Sequence, residues 1–157
     1  MGMFFLVLTL VAIIVHLVFM KNRSVKNIVE VILLCIIFVN IGLGSTMAGL
    51  AHIFNGPVVA KMIGWPSGSL FQYEVGVADV AMGFVGIMCL FIRGNFWLSA
   101  ILVNSIFLFG CMAGHVRDYI VSGNAAAYNI GPSIIISDLI MPVVLIGLFI
   151  ILQKLSK

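Results

Sequence analysis

The sequence predicts an all-α integral membrane bundle of five transmembrane helices, with the N-terminus outside and the C-terminus in the cytoplasm. Three observations carry that expectation. Of 157 residues, 63% are hydrophobic and only 8% are charged, and the mean hydropathy is +1.29. Eight basic and five acidic side chains cannot cover the core of a soluble domain this size. Five apolar stretches, roughly 3–20, 28–52, 70–92, 96–118 and 133–152, approach the ~20 helical residues that cross about 30 Å of hydrocarbon. Finally, the basic residues are asymmetric: if five helices alternate, Lys21, Arg23, Lys26, Arg93, Lys154 and Lys157 share one side, and only Lys61 and Arg117 take the other.

The length leaves room for a single transmembrane domain, 1–157, and the small scattered net charge of +3 speaks against nucleic acid as a partner. The lipid bilayer of the cell (inner) membrane is the expected partner, with a homo-oligomer or a larger membrane complex as further expectations.

The first stretch lacks a basic leader and a small-residue cleavage site, so it reads as a retained helix. The second runs to His52 and is followed by a long external connection, 53–69, containing Asn55-Gly56-Pro57 and Gly64-Trp65-Pro66-Ser67-Gly68-Ser69. Trp65 reads as an interface anchor, and Tyr73 and Trp97 as parts of aromatic belts. Ser69 and Gln72 have capping-box spacing, which predicts a third helix starting near Leu70. Pro132 suits the first turn of the fifth helix. Cys35, Cys89 and Cys111 lie in apolar stretches and read as small packing residues.

Ionisable groups inside a membrane are costly, about 2.5–3.5 kcal/mol each at a helix centre on insertion scales, so their placement is informative. Depth by sequence position puts His52, Glu74, His115 and Asp138 in one outer layer, from four different helices. Asp118 follows His115 at i+3, where it is placed to orient the imidazole. Pro142, four residues after Asp138, removes the hydrogen bond that the Asp138 carbonyl would accept. A middle layer holds Asn40, Asp79 and Asn104. Asp79 shares a face with Gly76, Gly83 and Gly86, so it is expected to point into the bundle as a neutral acid bonded to Asn40 or Asn104. His16 and Glu30, near the inner interface, are expected to pair. The inner half is otherwise apolar, which disfavours a continuous channel.

Eight residues are therefore candidate ligand-binding positions: His52, Glu74, His115, Asp118, Asp138, Asp79, Asn40 and Asn104. Of these, His52, Glu74, His115 and Asp138 have the chemistry of a divalent transition-metal site. The same residues also suit a proton or polar-ligand pocket, or an interhelical network that locks the bundle. No phosphate loop, nucleophile elbow or His-Glu-x-x-His is present, and no catalytic residue is identified. Small residues on helices two and three (Gly44, Ala48, Gly49, Gly83, Gly86) offer a self-association face.

The run from Gly64 to Gly76, GWPSGSLFQYEVG, resembles the signature of an uncharacterised family of small prokaryotic multi-span membrane proteins. Gly114-His115, Gly123-Asn124, Asn129-Ile130-Gly131-Pro132 and the Asp138…Pro142 pair are similar too, so the likeness covers about residues 50–145. The resemblance implies that His52, Glu74, His115 and Asp138 are recurrent polar positions. Asp79 stands where an Asn is expected in relatives. The family has no activity to transfer. Three readings stay open: a binding or transport-accessory protein with a His/carboxylate pocket in its outer half, a metal- or quinone-dependent membrane oxidoreductase or subunit of one, and a structural subunit of a larger complex.

Overall fold

A computed structural model describes residues 2–157, with side chains from Phe4 onward. The described residues form five helices and no strand: α1 (Gly2–Phe19), α2 (Val25–Ile63), α3 (Phe71–Met88), α4 (Asn95–Ser122) and α5 (Ala127–Leu155). Among them α2, α4 and α5 are long and apolar enough to cross a membrane. α1 and α3 have 18 residues each, about 27 Å at 1.5 Å per residue.

At 39 residues, α2 is the longest element. Ser24 caps it, its hydroxyl accepting from the Asn27 N–H at 3.3 Å. Ile37–Ser45 is wound more widely, as π-helix, before α-helix resumes at Thr46. At Asn55 the backbone leaves helical geometry (φ −129°, ψ 30°), two residues before Pro57. Proline has no N–H to donate and its ring crowds the preceding turn, so the helix bends there. The expected external loop 53–69 is thus corrected, because the chain bends at Asn55 and stays helical to Ile63. It stops at Gly64 (φ +85°), where the Gly64 N–H bonds the Lys61 carbonyl and the Trp65 N–H reaches back to Ala60 at 2.8 Å. That paired return is a Schellman ending, which needs a left-handed residue.

The most extensive packing lies between α2 and α3, and glycines make it possible. Gly42, Gly49 and Gly56 recur every seven residues on α2, opposite Gly76, Gly83 and Gly86 of α3 and the Gln72 side chain. A Cβ on Gly49 would sit 2.5 Å from the Gly76 carbonyl oxygen, and one on Gly86 2.5 Å from the Gly42 nitrogen. Backbones this close gain dispersion contacts that larger side chains would prevent. The self-association expectation is corrected accordingly: Gly49, Gly83 and Gly86 are spent inside the chain, and Gly44 faces Phe5 of α1.

α1 leans on the first half of α2, where Asn40 donates to the Thr9 hydroxyl at 2.8 Å. Opposite the Gly64 turn, at what we call the Arg93 end, Leu33, Ile37, Ile101, Leu145, Phe149 and Leu152 form an apolar core with Trp97. Trp97 is 2% exposed and donates its indole N–H to the Cys89 carbonyl at 2.9 Å, so it is a core residue and not part of an interface belt. The expected His16–Glu30 pair is also corrected. Glu30 pairs with Arg93, which lies 5.6 Å over the Trp97 ring, while His16 is exposed.

At the other end, the predicted Ser69/Gln72 capping box does not form. Ser69 instead accepts from the Phe71 N–H at 3.3 Å, and Gln72 turns inward to His52. α5 opens with a single turn, Ala127–Ile130, breaks at the extended Gly131 and resumes with Pro132 in its first turn, as the sequence led one to expect. A wide π turn at Ile136–Ile140 precedes Pro142.

The glycine contact makes a direct prediction. Gly83→Leu should lower the thermal midpoint of the detergent-purified protein, by the equivalent of at least about 1–3 kcal/mol of overpacking. Gly110→Leu, where a Cβ meets nothing within 4 Å, should leave it unchanged. Circular dichroism during heating reads both.

Candidate functional site

The polar residues gather where α2 ends, α3 begins, α4 ends and α5 begins. Two zones can be separated by how completely their hydrogen-bonding groups are used.

The outer zone is built on Asp118. One of its carboxylate oxygens accepts from the Trp65 indole N–H at 2.9 Å and from the Asn124 amide at 2.7 Å, and the other lies 2.6 Å from the Ser122 hydroxyl. Asn124 also donates to the Ile63 carbonyl at 2.9 Å, while its own oxygen accepts from the Ala126 N–H. This ties the last turn of α2, the end of α4 and the following loop together. A Cβ on Gly64 would fall 2.6 Å from the Asn124 side chain, so the turn that ends α2 also leaves room for the residue that anchors it. Bonds to a carboxylate are the stronger kind, and every group here has a partner. Asp118 therefore orients Trp65, and through it the imidazole, while the sequence had placed it directly on His115.

The inner zone centres on His115, 7% exposed. Its ring stacks on Trp65, centroids 5.5 Å apart at 20°. Asn129, fully buried, donates its amide to the Asn124 carbonyl at 2.8 Å and to the His115 carbonyl at 3.4 Å. Those two acceptors fix which way the amide faces, so the oxygen 2.7 Å from His115 Nδ1 must accept. Nδ1 accordingly carries a proton, and in the neutral ring Nε2 is left as a bare base. Nε2 faces Asp138 Oδ2 at 4.0 Å, which is too far for a hydrogen bond. The other Asp138 oxygen accepts from Ser137 at 2.6 Å.

Asp79 on α3 is 8% exposed. It lies within electrostatic reach of Asp138, and both carboxyls are felt at Cys111 of α4. The expected bonds from Asn40 and Asn104 to Asp79 do not form. Asn40 is engaged with Thr9 and the Ile36 carbonyl, and Asn104 makes a long 3.9 Å contact with the Met82 sulfur.

The metal set is not assembled either. Among the described residues no group of three or more His, Cys, Asp and Glu side chains converges to hold an ion. Helical phase explains why: Gln72, Gly76, Asp79 and Gly83 lie on the buried side of α3, and Glu74, two residues from Gln72, is turned some 200° away and exposed. His52 lies apart, its Nδ1 2.6 Å from the Gln72 amide oxygen. A shallow apolar groove of about 420 Å³ on α4, lined by Met112, Val116, Arg117 and Ile120 among others, takes in no member of the cluster.

Trp65, Gln72, Asn124 and Asn129 were not among the candidates read from sequence. All four fall in the runs that carry the family resemblance, which was the one signal pointing to them.

A family model described only as a family of unknown function matches residues 1–157. No curated protein and no solved structure matches the chain.

Asn129→Ala removes a buried side chain that serves three partners. It should destabilise the protein by about 1–3 kcal/mol, the cost of buried groups left unsatisfied, whereas Glu74→Ala should not move the midpoint. Chemical or thermal unfolding of the two variants beside the parent checks this.

Proposed function

The chain belongs, over all 157 residues, to the family of unknown function DUF6790, and we propose that it is a five-span inner-membrane protein carrying a polar site at its outer end. The N-terminus is outside and the C-terminus is cytoplasmic. The chain acts as a single transmembrane domain. The site accepts a proton or a small polar ligand, in a binding or transport-accessory role.

Charge supports the orientation. The Glu30–Arg93 pair joins the start of α2 to the α3–α4 connection, and Leu152 belongs to the same core cluster as Leu33 and Trp97. The ends carrying Lys21, Arg23, Lys26, Lys154 and Lys157 therefore cluster with Arg93, which is the arrangement of a cytoplasmic face. Lys61 and Arg117 alone accompany the Trp65 end.

The observation that carries the functional reading is the unspent Nε2 of His115. A network that served only to lock helices would use its groups up, as the Asp118 zone does. Here the neighbouring zone keeps an oriented imidazole, closed over by an indole, with a base facing the Asp138 carboxyl of α5. Asp138 of α5 faces His115, and Asp118 and Cys111 lie about one turn from it on its own helix; His52 of α2 is occupied by Gln72.

A stacked imidazolium quenches indole fluorescence more strongly than a neutral imidazole does. Acidifying the protein in lipid nanodiscs should therefore dim Trp65 reversibly. His115→Asn should abolish that response while keeping the helical spectrum. A Trp65 signal that ignores acid in the parent, or still responds in His115→Asn, would sink the reading.

A further inference from the structure

We infer that the groove on α4 is a binding site for one phospholipid of the outer leaflet, its acyl chain in the groove and the phosphate of an anionic headgroup on Arg117. The inference is independent of the His115 site and takes from the proposed function only the membrane orientation.

The groove holds about 420 Å³, and its walls are apolar apart from one cation, Arg117. An apolar recess with a single charged group is the composition that a site for an amphiphile requires. Arg117 is exposed, and its guanidinium is always charged. The ion pairs among the described residues are Glu30–Arg93 and His115–Asp138, so no acid of this chain is paired with it. Asp118, its neighbour in sequence, is held by Trp65, Asn124 and Ser122 instead.

Position along α4 matches the two parts of a lipid. Arg117 lies about 33 Å along the helix from Asn95 at 1.5 Å per residue. With about 30 Å of hydrocarbon to cross, that is the level of the outer phosphates. Gly110, Ala113 and Gly114 lie on the Arg117 face by their helical spacing, one to two turns deeper. All three are exposed, and a Cβ on Gly110 or Gly114 would meet nothing within 4 Å. Inward of Arg117 the surface is thus nearly bare backbone, on which a run of methylenes gains dispersion contacts that larger side chains would block.

A second copy of the chain suits the same face less well. In a two-fold pair about an axis normal to the membrane, the face would meet itself at equal depth. Arg117 would then stand against Arg117, and like charges repel. A phosphate instead offers the planar guanidinium a pair of acceptor oxygens. Phosphatidylglycerol presents that phosphate without the ammonium group that phosphatidylcholine carries beside it, so its headgroup is the better complement to a lone cation.

The test is native mass spectrometry of the detergent-purified chain, titrated with dioleoylphosphatidylglycerol or with dioleoylphosphatidylcholine. The first phosphatidylglycerol should bind the parent about tenfold more tightly than it binds Arg117→Gln, while phosphatidylcholine should bind the two alike. Ala113→Trp and Val116→Trp, which crowd the groove, should weaken both lipids. Lys61→Gln, which alters the other basic residue at this end, should bind like the parent. Size exclusion and the helical spectrum check the folding of each variant. Equal phosphatidylglycerol affinity in the parent and Arg117→Gln, or full retention of lipid in both Trp variants, would overturn the inference. So would a lipid-free dimer of the parent that the Trp variants dissociate, because the occupant of the groove would then be a second copy.

Discussion

The contact on which the remaining geometry depends is the backbone-to-backbone seam between α2 and α3. Facing glycines bring the Gly49 and Gly76 main chains so close that a single methyl on either would collide with a carbonyl. Small residues let the two backbones approach closely enough to gain dispersion contacts that larger side chains would prevent. The seam fixes the rotation of α3 about its axis. That rotation turns Gln72 towards His52 and buries Asp79, and it also turns Glu74 away. One constraint thus selects which acids enter the cluster.

The polar end then resolves into two kinds of chemistry. Asp118, Trp65, Asn124 and Ser122 use nearly all their bonding capacity on one another and on the Ile63 carbonyl, joining the end of α2 to the end of α4 and the loop after it, more than fifty residues further along the sequence. Asn129 connects this frame to the second zone. By spending its amide on two carbonyls it leaves only an acceptor for His115, and so decides which imidazole nitrogen is free. A rigid, satisfied frame holds an unsatisfied base 4.0 Å from the buried Asp138 carboxyl. Fully connected networks rigidify, and His115 Nε2 is the ring nitrogen that this frame leaves without a hydrogen bond.

Much of this was legible in the sequence, for reasons that can be stated residue by residue. Hydropathy marked the five helices, because apolar content over about 20 residues is a bulk property that local detail barely alters. Gly76, Asp79, Gly83 and Gly86 announced a buried face by their spacing alone. Pro132 was readable as a helix start, since its fixed φ suits a first turn. The end of α2 was not legible: Asn55-Gly56-Pro57 looks like a loop, whereas in the fold Gly56 and Ala60 are buried and Gly56 lies against Gln72 of α3. Depth along a helix grouped His52, Glu74, His115 and Asp138, but depth carries no information about rotation, and Glu74 was lost for that reason. The partners of His115 escaped because a hydrogen bond to an asparagine in the short first turn of α5 and a stacked tryptophan leave no periodic trace. Glu30 likewise chose Arg93, sixty-three residues distant, over the nearer His16.

The central claim is that Asn129 holds His115 with its proton on Nδ1 and its Nε2 bare towards Asp138. Solid-state NMR of protein carrying ¹⁵N-labelled histidine, in lipid at alkaline pH, reads that arrangement directly. His115 can be assigned by the signal missing from His115→Asn. A pyrrole-type Nδ1 with a pyridine-type Nε2, exchanging its pattern in Asn129→Ala, is the predicted result. A protonated Nε2 with a bare Nδ1 in the parent would contradict the account, because the base facing Asp138 would not exist.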